Sequence, residues 1–542
     1  MTDPESENVD PVDAVDATAA EPVAADAAAA EPDAAEPDAA EPDAAERVAA
    51  EPDAAEPDAA RPVTARRSAR GAILVSARIV TGTIAVGVAA LAIGAAAWLP
   101  FPAHQTTPRS AIVTPEPAAQ KRVCAGPLLR LGDDSGQAAT TISSIGRASV
   151  LYSQTVGNAT ETELSSTDNS SGLAPKLLTL PSTSGTSSTR PLLAGSQSQQ
   201  ANSGDFVGLA AAECSEGSSD SWLVGGATNT GRTTLVTLSN PSTVIATVTL
   251  GIYSETGAVS AAGTDGIVVP PGGQRVLSLA GFAPNVTSSV IRVQSRGGQV
   301  IAHLQQSTVR TLEPGGVDIV GAGAEPSTRA VIPGFVIANE AATVARQPEP
   351  GFSDLSSVIR LFVPGEAPAR AEITIVPEDG SAPGSPVRVV IKPGMVTDLP
   401  LDEYPDGSYT VTVTSDKPLV AGARVSTVGT TGQSDFAWLA AAATVSGQAL
   451  VTVAPGPAPV LHIANPTRTD DTVTLHEEGQ IDITITIPAG RTIQHSVTAG
   501  ASYTLSGFDR AELAVSYLGD GRLAAFTVSP SAPASRPITI YP

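Results

Sequence analysis

The sequence predicts a mainly β protein in which tandem immunoglobulin-like antiparallel β-sandwich modules follow a disordered acidic tail and a single N-terminal transmembrane helix. Three observations support this fold class: an internal threefold repeat, apolar residues that alternate with Thr and polar residues, and turn signals about every 8–12 residues. A β-propeller-like arrangement is the alternative. Three copies are too few for a closed propeller unless further blades are hidden elsewhere in the chain.

The repeat copies span residues 235–307, 359–426 and 461–529. Each copy opens with a short strand that ends at a turn. A strand of alternating apolar and polar residues follows, then a turn with an acidic residue and Gly, and then an apolar strand that closes on a Pro-containing turn. Two further strands complete each copy. The predicted domains are β-module 1 (221–320), β-module 2 (321–430) and β-module 3 (431–542).

Charge is distributed unevenly in the N-terminal region. The chain has a formal net charge of −24, and residues 1–60 contain 19 acidic residues and a single base, Arg47. Repeats of Glu-Pro-Asp-Ala-Ala, with regular prolines and no aromatic residue, predict a disordered tail over 1–60. The tail is either an acidic bait for a basic partner or, as we favour, a solubilising repeat. Because no domain is basic, we expect no nucleic-acid partner.

Residues 79–99 form an uncharged, mostly apolar stretch that predicts a transmembrane helix. The basic juxtamembrane segment 61–78 contains five arginines and no acidic residue, which places the N-terminus in the cytoplasm and the C-terminal region outside the membrane. A buried soluble helix and a cleaved signal peptide are alternatives, and the long region before the stretch disfavours the latter. A Pro-rich stalk follows over 100–123.

Cys124 and Cys214 are the only cysteines of the chain, and both lie on the predicted outer side. A pair in an oxidising compartment predicts a disulfide, which would close a long loop and contribute about 4–5 kcal/mol in the chain-entropy model. Two free buried thiols are the alternative. The Ser/Thr-rich segment 124–220 between them is expected to contain two short strands and otherwise loops.

Two tryptophans precede repeat copies, Trp222 before the first and Trp438 before the third. We expect both to be core anchors. The alternative is that they are exposed and stack on a ligand such as a sugar ring. Aromatic residues make up only 4% of the sequence, which disfavours a surface built for glycan stacking.

Several motifs resemble a family of uncharacterised actinobacterial cell-envelope proteins with an N-terminal membrane anchor and repeated β-rich modules. These motifs are Trp222-Leu223-Val224-Gly225-Gly226-Ala227-Thr228, Ser239-Asn240-Pro241, Val269-Pro270-Pro271-Gly272 and Cys124-Ala125-Gly126-Pro127. The resemblance covers about residues 120–540. It implies an envelope location and involvement in surface-glycan assembly, and it supplies no catalytic residues.

The five histidines offer little chemistry. His303 lies between residues assigned inward, so we expect it to face solvent. His462 and His476 lie opposite the apolar faces of their strands and could meet in a metal site, but no His-x-His or His-Glu-x-x-His spacing is present, so scattered surface histidines are favoured. We therefore predict no metal, no cofactor and no catalytic site.

The predicted function is a structural or interaction role in the bacterial cell envelope, for a protein held in the membrane by residues 79–99. The expected partners are the membrane itself and either envelope glycan or other envelope proteins. A glycan-binding or surface-glycan assembly accessory is one alternative, and a hydrolase with an unrecognised site is another. The sequence leaves the oligomeric state open.

Overall fold

Alternation along the strands determines which side chains enter the core. In the strand Ala246–Ser254, the residues from Ala246 to Leu250 are alternately buried and exposed, as the sequence pattern predicts for a half-buried strand. A computed structural model describes residues 88, 111–113, 119–132, 141–182, 191–401, 404–531 and 538–540. Within these residues the protein is mainly β, which confirms the predicted class, while the immunoglobulin-like detail stays a prediction.

We call residues 119–216 the disulfide module, and it contains short strands that form two main sheets, β10-β9-β5 and β11-β2-β8-β6. Before it, β1 (Ala111–Val113) pairs with the last strand of the chain, β35 (Ile538–Ile540). The strands of the module are β2 (Gln120–Val123), β3 (Leu129–Leu131), β4 (Ile142–Ser144), β5 (Ser149–Gln154), β6 (Thr160–Glu163), β7 (Ser165–Ser166), β8 (Lys176–Leu180), β9 (Leu193–Ser203), β10 (Phe206–Glu213) and β11 (Ser215–Glu216).

Module 1 (220–321) consists of two antiparallel sheets, β12-β18-β14-β15 with β16 on β14, and β20-β19-β13-β17, whose last strand also pairs with β7. A 3-10 turn, Leu279–Gly281, follows β17. The strands are β12 (Asp220–Val224), β13 (Arg232–Asn240), β14 (Ala246–Ser254), β15 (Gly257–Val259), β16 (Ile267–Val269), β17 (Gly273–Ser278), β18 (Ser289–Gly297), β19 (Ile301–Arg310) and β20 (Glu313–Gly321).

Module 2 (327–440) has the same plan, except that one long strand, β26, runs through both sheets. Its first half pairs with β21 and β23, and its second half pairs with β22 and β27. The elements are β21 (Ser327–Ile337), helix α1 (Glu340–Arg346), a 3-10 turn (Ser353–Leu355), β22 (Val358–Phe362), β23 (Ala369–Pro377), β24 (Val387–Ile391), β25 (Val396–Pro400), β26 (Gly407–Val428) and β27 (Ser434–Ala440).

Module 3 (445–528) repeats this arrangement, with β33 as the long shared strand. Its strands are β28 (Val445–Thr452), β29 (Val460–Ala464), β30 (Asp471–Glu477), β31 (Ile483–Ile487), β32 (Thr492–Ser496), β33 (Ser502–Gly519) and β34 (Arg522–Val528). The alternating strands predicted at 247–252, 372–375 and 472–475 are parts of β14, β23 and β30.

The four modules form a propeller-like ring around four inner strands, β10, β20, β27 and β34. Each inner strand is the second strand of a hairpin, and it packs against the inner strands of both neighbouring modules. The fourth blade that the propeller alternative requires is the disulfide module. The sequence concealed it because its hairpin β9–β10 lies in a segment predicted to be mostly loop.

Each module completes its core with the inner strand of the next module. Phe436 and Trp438 of β27 pack in the core of module 1, and Leu523 of β34 packs in that of module 2. The exchange continues with Leu209 of β10 in the core of module 3 and Val317 of β20 in that of the disulfide module. Because the exchange closes on itself, a module separated from the ring would expose part of its core to water.

Several predictions fall outside the described residues: the acidic tail 1–60, the basic segment 61–78, the stalk over 100–110 and 114–118, and the transmembrane stretch 79–99 apart from Val88. In the part of the chain that the structure describes, no helix is long and apolar enough to span a bilayer. The tail, the anchor and its orientation therefore stay predictions.

Candidate functional site

The group of residues best suited to carry out a reaction lies between modules 2 and 3. There a Glu, a His and a Ser form one hydrogen-bonded chain. His462 Nδ1 lies 2.5 Å from Glu378 Oε2, and His462 Nε2 lies 2.8 Å from Ser516 Oγ. His462 is in β29 and Ser516 in β33 of module 3, whereas Glu378 directly follows β23 of module 2. We call this group the Glu–His–Ser chain.

Glu378 is held in place by two further groups. Its Oε1 accepts the backbone N–H of Gly334 at 3.1 Å and the hydroxyl of Thr410 at 2.8 Å. The backbone at Gly334 has φ of +74°, and a Cβ there would lie 2.8 Å from the His462 ring. Glycine therefore satisfies both the backbone conformation and the close approach of the imidazole.

Electrostatics favour the ionised form of Glu378. Burial pushes its pKa upward, but His462, Thr410 and the Gly334 N–H together outweigh burial, so that the pKa of Glu378 is lowered from its ordinary value. A carboxylate beside Nδ1 matches the neutral histidine tautomer, in which Nδ1–H donates to Glu378 and Nε2 accepts the Ser516 hydroxyl proton.

This is the order of groups that activates the serine of serine hydrolases: an acid orients a histidine, and the histidine takes the serine proton. In this ring the chain is closed, however, because the side chains of Glu378 and His462 are fully buried and Ser516 is only 3% exposed. A substrate reaches Ser516 Oγ only after modules 2 and 3 part. In the closed ring the chain fastens the two modules together.

The sequence did not reveal this group. In the sequence, Glu378 lies in a turn pattern, His462 shares only a weak metal-site pattern with His476, and no motif surrounds Ser516. The structure places His462 and His476 apart: His476 is exposed and lies 2.7 Å from Asp482. No group of three metal-ligating side chains occurs within the described residues.

His303 is also buried, which corrects the expectation that it faces solvent. The face of β19 that points away from the core of module 1 is covered by the disulfide module: Ile301 packs against Val123, and the Gln305 side chain bonds the backbone of Leu129. Burial lowers the pKa of His303 to about 4, so it is neutral at physiological pH.

Between modules 1 and 2, a charged pair takes the place of the Glu–His–Ser chain. Arg360 of β22 pairs with Asp398 at 2.8 Å and donates to the backbone carbonyl of Gly226 in module 1. Its guanidinium lies over the Trp438 ring, 4.5 Å from the centroid. Burial opposes the charge of Asp398, but Arg360 outweighs it and lowers the pKa of that carboxyl.

Both Trp222 and Trp438 are interior residues. Trp222 is 4% exposed and packs against Tyr253 and Phe362 between modules 1 and 2. Trp438 is 2% exposed and donates its ring N–H to Gln306. A ligand can stack on either ring only after the modules separate.

At the ring axis, Asp435 of β27 binds all three other inner strands. Its carboxylate accepts backbone N–H groups from Leu209 of β10, Val317 of β20 and Leu523 of β34. Gly208 leaves the space that this requires, since a Cβ there would lie 2.6 Å from Asp435 Oδ1. Burial raises the pKa of Asp435 to about 8, although these donors favour its charged form.

The disulfide lies beside the contact between the disulfide module and module 3, which closes the ring. Cys124 and Cys214 are bonded, which confirms the predicted pairing. Next to them, Arg122 pairs with Glu213 at 2.9 Å, and Glu213 also accepts the backbone N–H of Ser529 after β34. Burial raises the pKa of Glu213 in spite of Arg122. A pocket at this end of the axis has room for about one water molecule, so it is too small for a substrate.

The model of DUF5719, a family of unknown function, matches residues 165–498, which is more than half of the chain. The chain belongs to this family. No curated protein matches the sequence.

The DUF5719 match and the ring differ in extent. Within the match lie Glu378, His462 and both tryptophans, whereas Ser516 and Cys124 lie beyond its ends. The complete Glu–His–Ser chain and the disulfide therefore each combine one residue from outside the matched segment with residues inside it. The ring as a structural unit is longer than the segment that defines the family.

Proposed function

We propose that this DUF5719 protein is a single-pass membrane protein of the bacterial cell envelope, whose extracytoplasmic ring serves a structural or interaction role. The cyclic exchange of inner strands carries the proposal, because it makes four modules, of immunoglobulin-like type in our interpretation, into one rigid platform. The Glu–His–Ser chain and the Arg360–Asp398 pair lie between its modules. The partners we propose are the membrane, through residues 79–99, and other envelope proteins or envelope glycan.

Two further observations support the location. Disulfides form and persist in oxidising compartments, and the Cys124–Cys214 bond is buried at the closure of the ring. The uncharged stretch 79–99 directly follows an arginine-rich segment, as expected for a helix with a cytoplasmic N-terminus. Both observations support an extracytoplasmic location of the ring.

Protease treatment of intact spheroplasts tests this topology. The full chain carries one epitope tag at its N-terminus and another at its C-terminus. We expect the N-terminal tag to survive and the ring to remain as a resistant fragment that fractionates outside the membrane after cleavage in the stalk. Release of the N-terminal tag, or recovery of the ring only after lysis, would overturn the proposal.

A hydrolase is a second candidate function, and the Glu–His–Ser chain is the observation that favours it. A fluorophosphonate probe tests it: Ser516 Oγ bonds to phosphorus, fluoride leaves, and the serine proton passes to His462 Nε2. Labelling that is lost in Ser516→Ala but retained in Ser446→Ala, an exposed serine of β28, supports a hydrolase. Because Ser516 is reached only when modules 2 and 3 part, absence of labelling in a folded, disulfide-bonded chain removes a hydrolase that works in the closed ring.

A further inference from the structure

Strand β31 of module 3 is an exposed sheet edge with apolar side chains. Of the described strands it pairs only with β30, so the backbone N–H and C=O groups along its other side have no strand partner. Ile483 is 46% exposed, and Ile481, just before the strand, is 90% exposed. An apolar edge of this kind is a template for pairing with another strand.

The usual protection of an edge strand is missing within β31. Its five residues, Ile-Thr-Ile-Thr-Ile, include no charge and no proline. The equivalent strands of the other modules are protected or short. In β24 of module 2, Arg388 pairs with Glu372 at the surface, and β16 of module 1 has only three residues.

The sequence of β31 is suited to pairing with the β31 strand of a second molecule. The strand reads the same in both directions around Ile485, so an antiparallel pair of two β31 strands places Ile485 opposite itself. Thr484 then faces Thr486, and Ile483 faces Ile487 of the second molecule. The flanking Asp482 faces Pro488 rather than another acidic residue, so no like charges meet.

We propose that the free edge of β31 pairs with β31 of a second molecule of this chain, in an antiparallel contact with twofold symmetry. Each molecule contributes the same surface, so the contact closes on a dimer. The isoleucines that extend beyond the core of one module 3 are then covered by those of the other. Five residue pairs form a small interface, so the dimer is a weak one that dissociates on dilution.

Disulfide trapping at the symmetry centre tests the pairing. Opposed residues of an antiparallel pair have Cα atoms about 4.5–5.5 Å apart, within the range that a disulfide bridges. Since no free cysteine occurs within the described residues, Ile485→Cys introduces a single reactive thiol. We expect mild oxidation of the full-length chain to convert most of it to a covalent dimer. Val268→Cys on β16 of module 1, also exposed, is the matched control and should remain monomeric.

A charge at the edge provides a second test. Ile483→Lys brings a charge into the contact of each molecule, and we expect the mass measured by light scattering at high protein concentration to fall about twofold. Val390→Lys on β24 should leave the mass unchanged. The proposal is overturned if Ile485→Cys and Val268→Cys cross-link equally, or if the wild-type chain and Ile483→Lys have the same mass. Retention of the Cys124–Cys214 bond and a wild-type melting temperature verify that each variant is folded.

Discussion

The contact between modules 1 and 2 and the contact between modules 2 and 3 use the same strand position with different chemistry. Arg360 and His462 each lie in the middle of the strand between the long shared strand and the next strand of its sheet. Each reaches a glycine in the preceding module, Gly226 for Arg360 and Gly334 for His462. The fold therefore determines the strand position from which a side chain contacts the preceding module, whereas the type of residue at that position differs between modules.

The difference determines how each contact responds to its environment. Arg360 binds carbonyl groups and Asp398 as a cation. The His462 contact instead depends on the Glu378 carboxylate, whose pKa is lowered from its ordinary value, and it includes the Ser516 hydroxyl, which a reagent reaches only if the modules part. The Arg360 contact is held by a cation, whereas the Glu378 carboxylate makes the His462 contact sensitive to pH.

Arg360→Ala should break the first contact, and among the variants that remove a polar side chain it should have the largest effect. It leaves Asp398 without its cation and several carbonyl groups of module 1 without a donor, so we expect the free energy of unfolding to fall by about 3 kcal/mol. Denaturant unfolding of the full chain measures it. Arg388→Ala, which removes an exposed pair with Glu372, should cost less than about 1 kcal/mol. Equal losses in both variants would contradict the assignment.

Gly334→Ala should disturb the second contact from the other side. Any non-glycine residue at this φ is strained by about 1–2 kcal/mol, and the new Cβ would also collide with the His462 ring. Gly351 has φ of +88° and no atom within 4 Å of an added Cβ, so Gly351→Ala measures the strain alone. We expect Gly334→Ala to lose about 1–3 kcal/mol more than this control. Similar melting temperatures for the two variants would show that the ring tolerates the collision.

Glu378→Gln should make the second contact insensitive to acid. At neutral pH we expect a loss of about 1–3 kcal/mol, because His462 keeps a neutral partner in place of a carboxylate. The pKa of Glu378 is lowered in the folded chain, so its contribution is present above its ordinary pKa of 4.5 and is lost as the pH falls through the folded value.

The stability gap between the wild-type chain and Glu378→Gln should therefore narrow below pH 4.5. Unfolding measured from pH 7 to pH 3 checks this. Glu372→Gln, at an exposed site on β23, controls for the general loss of one negative charge. A gap that stays constant into acid would mean that the Glu378 carboxylate does not stabilise this contact.

The sequence predicted the parts of the ring that local pattern determines. Alternation identified the strands of the three modules, and two cysteines in one predicted compartment identified the disulfide. The fourth blade was missed because β9 and β10 are rich in Ser, Gln and Ala, whose pattern resembles a loop until neighbouring modules cover it. The burial of His303 was missed for the same reason, since the face opposite the core of a module is solvent only if nothing docks on it.

The Glu–His–Ser chain lay beyond sequence reasoning for a geometric reason. Its members are separated by 84 and 54 residues, and Glu378 comes from a different module than its partners. Only the placement of module 2 against module 3 brings the carboxylate to the imidazole. The comparison with Arg360 gives the signal that could have located it: a polar residue at the same position of β22 and β29, between apolar neighbours.

Ser516→Ala should give the smallest effect and should separate the structural role of the chain from a chemical one. Removal of the hydroxyl leaves His462 Nε2 without a partner in a buried site, for an expected loss of about 1 kcal/mol in unfolding free energy. Ser446→Ala in the exposed part of β28 should be neutral. If Ser516 acts only by its hydrogen bond to His462, Ser516→Thr keeps a hydroxyl and should be as stable as the wild-type chain. If instead Ser516→Ala is more stable than the wild type, the serine is held at a cost to the fold, which is the signature of a residue kept for chemistry.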